Sequence, residues 1–151
     1  MTSKTDFTSE EWKLVLEGPP SAGMVVITAQ RGGMLRETVS MAKTYAEARQ
    51  HHGQSELLDE IVAAKPAMDH TRYRSLEELK EHCVAHLRDA VALLEGKATP
   101  QELGEYKQFI LNLADKVANA HREGHGGEDA VSEAERAAIA TIAQALGATT
   151  A

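Results

Sequence analysis

Four times in this chain a serine or threonine is followed three residues later by a glutamate: Thr8–Glu11, Ser75–Glu78, Thr99–Glu102 and Ser132–Glu135. This is the spacing of a capping box. The hydroxyl accepts from a backbone N–H in the first turn, and the carboxylate reaches back to the N–H of the cap residue, so donors that a helix start would leave unpaired find partners. Pro100, directly after Thr99, suits the first helical position because its missing N–H had no partner to lose. These signals predict helices over 8–17, 75–95, 99–122 and 132–146.

Apolar spacing supports the same segments. Leu103, Tyr106, Ile110, Leu113, Val117 and Ala120 recur at intervals of three and four, one stripe on a helix. Leu76, Leu79, Cys83, Leu87, Ala90 and Leu94 do so over 75–95, and Ile139, Ile142 and Leu146 share one side of the last helix among many alanines. Two further helices are read at 34–50, presenting Leu35, Val39, Ala42, Tyr45 and Ala46, and at 55–65, presenting Leu57, Leu58, Ile61 and Val62. The stretch "AGMVVITAQ" (22–30) is β-branched enough for a strand, but a lone strand would bury unpaired backbone groups. It is read as a short central helix, entered through Pro19 and Pro20. The expectation is an all-α fold: about seven helices in a compact single-domain bundle spanning 8–147, with flexible ends at 1–7 and 148–151.

A chain of 151 residues buries about 70% of its unfolded surface and needs no staple. Its net charge of −7 is uneven, with 9 basic and 10 acidic side chains up to residue 75 but 7 and 13 beyond it. An acidic second half argues against nucleic acid and anionic membrane, which call for basic surface, and suits cations or a basic partner. The only cysteine, Cys83, sits mid-helix in "KEHCVAHL" and reads as a buried thiol, which excludes an internal disulfide and a cysteine zinc site. With no signal-peptide pattern and no membrane-spanning run, a cytoplasmic location is expected.

The two halves echo one another. "TAQRGG" (28–33) and "NAHREG" (119–124) both close an apolar helix with Ala-x-Arg-x-Gly, and "TYAEA" (44–48) answers "TIAQA" (141–145). A duplication of this kind makes two helix–loop–helix units about a pseudo-two-fold axis. The second unit, a glycine-containing acidic loop followed by "VSEAERAAIATIAQALG", resembles the tellurite-resistance TerB-like family on Val131, Ser132, Glu135, Leu146 and Gly147. The resemblance covers about 30 residues closely and the rest only as a helical pattern. It implies an all-helical fold, a divalent-cation site built from acidic loop residues, a stress-associated role and no established catalysis. The chain departs from the family pattern where an Ala-Asp-Gly turn is expected, since Ala120-His121-Arg122-Glu123-Gly124 stands there.

The loop fails as a calcium hand. With Glu135 as the twelfth residue, Gly124 falls first, Gly126 third and Asp129 sixth, so carboxylates are missing where the ion needs them and the turning glycine is misplaced. A looser divalent-cation site from Glu123, Glu128, Asp129 and Glu133 remains. His121 and His125 are four apart, but Gly124 breaks the helix between them, and His121 reads as a core-edge histidine favouring the negative helix end. His82 and His86 lie four apart inside one helix, with Glu78 above and Asp89 below, a weak transition-metal candidate set against an ordinary solvated flank. Cys83 stands where a His-Glu-x-x-His protease would carry glutamate. The glycine turn of "QRGGMLRE" (30–37), near Arg31 and Arg36, reads as a helix end rather than a phosphate loop, and "DHTRYRS" (69–75) is a small basic spot around His70, Arg72, Tyr73 and Arg74.

Three functions follow as expectations. The first is a non-enzymatic TerB-like domain that senses or buffers cations. The second is a metal-free helical interaction module, binding a protein partner or forming a homo-oligomer through apolar and alanine-rich faces. The third and weakest is a hydrolase or transferase using His82, His86 or the Arg31 turn; no catalytic triad order or nucleophile elbow supports it.

Overall fold

The computed structural model describes residues 4–29, 34–50, 56–63, 76–123 and 133–147; the side chains at 4, 27–29, 34–41, 56, 76, 119–123 and 133–135 are outside that description. Among the described residues the fold is all-helical: α1 (Ser9–Ala29), α2 (Met34–Gln50), α3 (Glu56–Ala63), α4 (Leu76–Lys97), α5 (Pro100–Glu123) and α6 (Glu133–Leu146), preceded by a 3-10 turn at Lys4–Asp6. Two capping boxes close as expected. Glu11 N–H donates to Thr8 Oγ1 at 3.1 Å while Thr8 N–H donates to Glu11 Oε1 at 2.9 Å, and the Thr99–Glu102 pair repeats this at 3.1 and 3.0 Å. Ser75 and Ser132 lie outside the described residues.

The stripes on α4 and α5 form the core. Leu79, Cys83, Leu87, Ala90 and Leu94 of α4 pack with Tyr106, Ile110, Leu113 and Val117 of α5, all buried. Ile142 and Leu146 of α6 join them, and Gly147 ends that helix at φ 71°, a left-handed C′ position whose N–H returns to Gln144 O at 3.0 Å. On α2 the buried face differs from expectation. Tyr45 is buried beside Thr44, whereas Ala42 and Ala46 face solvent, because short alanines carry too little apolar area to fix a helix's rotation against a bulky tyrosine.

The larger departure lies in α1. Two helices, 8–17 and 22–30, are expected on either side of the prolines, yet one helix runs through Pro19 and Pro20, which is why six helices stand where about seven are expected. A proline inside a helix withholds the N–H that the carbonyl four residues back would accept, here those of Val15 and Leu16. Neighbouring helices bring donors to this stretch, and one of them restores a bond to Val15 O. Tyr106 Oη of α5 donates to Val15 O at 2.7 Å, and His86 Nε2 of α4 meets the next carbonyl back, Leu14 O, at 3.1 Å. Gly18 makes the tyrosine contact possible, since a Cβ there would stand 2.0 Å from Tyr106 Oη. Beyond the break α1 is apolar all round: Ala22, Met24, Val25 and Val26 are buried, as a central helix requires.

Residues 4–7, outside the domain by sequence pattern, fold back on the end of α4. Lys97 Nζ donates to Asp6 O at 2.8 Å and Glu11 Oε1 at 3.1 Å and lies 5.4 Å from the centre of the Phe7 ring, which packs on Trp12. The order helix–loop–helix recurs at α1–α2 and α5–α6, the two segments that echo in sequence. α2 packs on α5 and α6 on α1.

Candidate functional site

Two places gather polar groups among the described residues. The first surrounds the proline break. Ser21 is fully buried and its Oγ donates to Glu17 O at 2.7 Å, a back-bond within the helix. Burial pushes the Cys83 thiol up to about 12, and the Ser21 hydroxyl beside it opposes the shift only in part. Burial also holds the Tyr106 hydroxyl protonated well above the usual phenol range, with Tyr45 nearby adding to the effect. A thiol in this state is no nucleophile. The polar groups here serve the backbone of α1 and leave nothing aimed at a ligand.

The second is a cleft of about 330 Å³ among α2, α3 and α5. Its apolar wall is Phe109 with Leu58 and Ala48, and Phe109 is backed edge-on by the buried Tyr45, their ring centres 5.4 Å apart. Around this wall stand three carboxylates, Glu47, Asp59 and Glu105, and one ammonium, Lys116, with Gln108 and Asn112 joined to each other at 3.2 Å. Lys116 is engaged by Glu47, a half-exposed pair worth about 0–1 kcal/mol that ties α5 to α2. Among the described residues that line the cleft, acids outnumber bases three to one. Arg49 holds the α3 wall in place, its Nε donating to Val62 O at 2.6 Å in the last turn of α3, where a helix has carbonyls to spare.

Two buried side-chain oxygens have no hydrogen-bond partner among the described residues, Tyr45 Oη and one oxygen of Glu105. Glu105 Oε1 accepts from Gln101 Nε2 at 3.2 Å, but Oε2 is shielded from solvent and has no hydrogen-bond donor among the described residues. Buried polar atoms are usually paired, so this oxygen marks a place where a donor is missing.

The sites expected from sequence fall elsewhere. Glu128 and Asp129 lie outside the described residues; Glu123 ends α5 and Glu133 begins α6, with side chains that are not described. His121 has a described backbone only, and Arg31, His125 and 69–75 are outside altogether. His82 is exposed on α4, whereas His86 turns its Nε2 to Leu14 O and to Glu17 Oε2 at 3.4 Å, so the two rings face different surroundings. Among the described residues no three His, Cys, Asp or Glu side chains converge closely enough to hold a metal ion, and no helix is long and apolar enough to cross a membrane.

No family model matches this chain, and no curated protein or solved structure is found similar to it.

Proposed function

We propose that this protein is a non-enzymatic, all-helical domain that binds cations, in keeping with its TerB-like segment at 120–147. The observation that carries the reading is the charge of the α2–α3–α5 cleft: three carboxylates against a single ammonium that one of them already engages. A concave site with excess negative charge and low-dielectric walls raises the local concentration of cations. The acids Glu123, Glu128, Asp129 and Glu133, close together in the sequence, are a second group of the same sign.

The test is element analysis of untagged protein, followed by thermal midpoints in magnesium, calcium, zinc and ethylammonium chlorides against sodium chloride of equal ionic strength. A cation at 100 times its dissociation constant adds about 2.7 kcal/mol to stability. A midpoint raised by at least one of them supports the reading; no bound metal and no rise with any of them overturns it.

A second reading, the metal-free interaction module, is favoured by the outer face of α6, where Ala137, Ala140 and Gln144 are exposed at spacings of three and four. Small side chains let a second helix approach closely. Concentration-dependent sedimentation that vanishes in Ala140→Glu supports it, and a strict monomer that retains no partner counts against it.

A further inference from the structure

The start of the chain carries an inference separate from the cation reading. Segment 4–7 precedes the first capping box, and among its described side chains only Phe7 is apolar and partly buried, while Thr5 and Asp6 are exposed. Three contacts meet on one ammonium. Lys97, the last residue of α4, donates to Asp6 O at 2.8 Å and stands 5.4 Å from the centre of the Phe7 ring. It also donates to Glu11 Oε1 at 3.1 Å, the oxygen that accepts Thr8 N–H at 2.9 Å. The capping box is made within the first turn of α1 and does not need the lysine. Thr8 is thus a fixed pivot, and Lys97 holds the free arm. Beside that arm lies Trp12, the one tryptophan of the chain, 8% exposed and with its ring centre 5.6 Å from that of Phe7. The Lys97 and Glu11 side chains are 33% and 30% exposed, and a pair so open to water holds weakly. Few buried apolar contacts and solvent-facing hydrogen bonds mark a segment that opens locally, ahead of the rest.

We propose that residues 4–7 are a strap over Trp12, latched by Lys97, which lifts about Thr8 while the helices behind it stay folded. Closed, the strap keeps the Phe7 ring on the indole and the Lys97 charge against that ring. Open, it gives up one aromatic contact, one cation–π contact and the bond to Asp6 O, and leaves the Thr8–Glu11 cap in place. The exposure of Trp12 is therefore set by the charge at position 97.

The test is acrylamide quenching of Trp12 fluorescence in the full chain, which reads this one indole directly, with far-UV circular dichroism on the same samples. Phe7→Ala removes the cover and sets the value for an uncovered ring. Lys97→Gln, which keeps length and removes charge, should raise the quenching constant about twofold, toward the Phe7→Ala value, at unchanged helix content. Lys97→Arg keeps the charge, the donors and a cation for the ring, and should stay at the wild-type value. Quenching in Lys97→Gln equal to that of the wild type overturns the latch. Quenching in Phe7→Ala equal to that of the wild type overturns the cover. A rise in Lys97→Gln that comes only with loss of helix signal overturns the strap as a unit that opens by itself, as does an equal rise in Lys97→Arg.

Discussion

Replacing Gly18 with alanine inverts an ordinary expectation. In a helix interior Gly→Ala gains about 1 kcal/mol. Here the new Cβ would sit 2.0 Å from Tyr106 Oη, where ordinary contact begins at 3.4 Å. The hydroxyl must withdraw by about 1 Å or more, which breaks its 2.7 Å bond to Val15 O. Val15 O has no proline N–H to fall back on, and each buried group left unpaired costs about 1–3 kcal/mol. The loss outweighs the propensity gain, so Gly18→Ala should destabilise by about 1–3 kcal/mol. Tyr106→Phe should cost about 1–2 kcal/mol by removing the donor alone. Once the hydroxyl is gone, a Cβ at position 18 meets only the ring carbon at 3.1 Å, a contact that a small adjustment relieves. Gly18→Ala in the Tyr106→Phe background should therefore be close to neutral, giving a coupling of about 2 kcal/mol. Urea unfolding followed by far-UV circular dichroism reads this as midpoints at constant slope. Equal destabilisation in both backgrounds, or a stabilised Gly18→Ala single variant, would refute the account of how α1 tolerates its prolines.

Three further outcomes follow from the same contacts. Glu11 is held below its usual 4.5 by the Thr8 N–H and by Lys97, so its contribution to stability is present above pH 4.5 and is lost as pH falls through the lowered folded value; thermal midpoints below pH 4.5 should fall less steeply in Glu11→Gln, which keeps the capping box without titrating. Cys83 should resist iodoacetamide at pH 8 in the folded chain and alkylate fully in guanidinium, read by mass; prompt labelling of native protein would contradict its burial. His86→Ala should cost about 0.5–1.5 kcal/mol by removing the ring's contact with Leu14 O, while His82→Ala, at an exposed position, costs less, as urea midpoints will show.

The helices were legible in sequence because their causes are local. Thr8 and Thr99 carry within three residues everything their caps require, and the α4 and α5 stripes repeat often enough to outvote any one residue. Continuity through Pro19 and Pro20 was not legible, because the groups that meet this stretch from outside, His86 and Tyr106, stand 72 and 91 residues away from the carbonyls they meet. No pattern near the prolines announces them, though Gly18 beside an otherwise unexplained mid-stripe tyrosine was a usable hint. The buried face of α2 was misjudged at Ala42 and Ala46, since alanine is at home on either side of a helix. The cleft left least trace of all. Glu47, Asp59, Glu105 and Lys116 come from three helices, share no spacing, and look singly like solubility charge.

The central claim is that cations are bound in that cleft. Amide chemical-shift mapping during titration with magnesium, calcium and ethylammonium chlorides tests it most directly, because it reports where a ligand sits as well as whether it binds. Saturable shifts confined to the residues around Ala48, Asp59, Glu105, Phe109 and Asn112 with at least one of them, absent with sodium chloride of equal ionic strength, are the predicted result. Shifts spread over the acidic surface in proportion to salt, or gathered at 124–132 with the cleft silent, would contradict it.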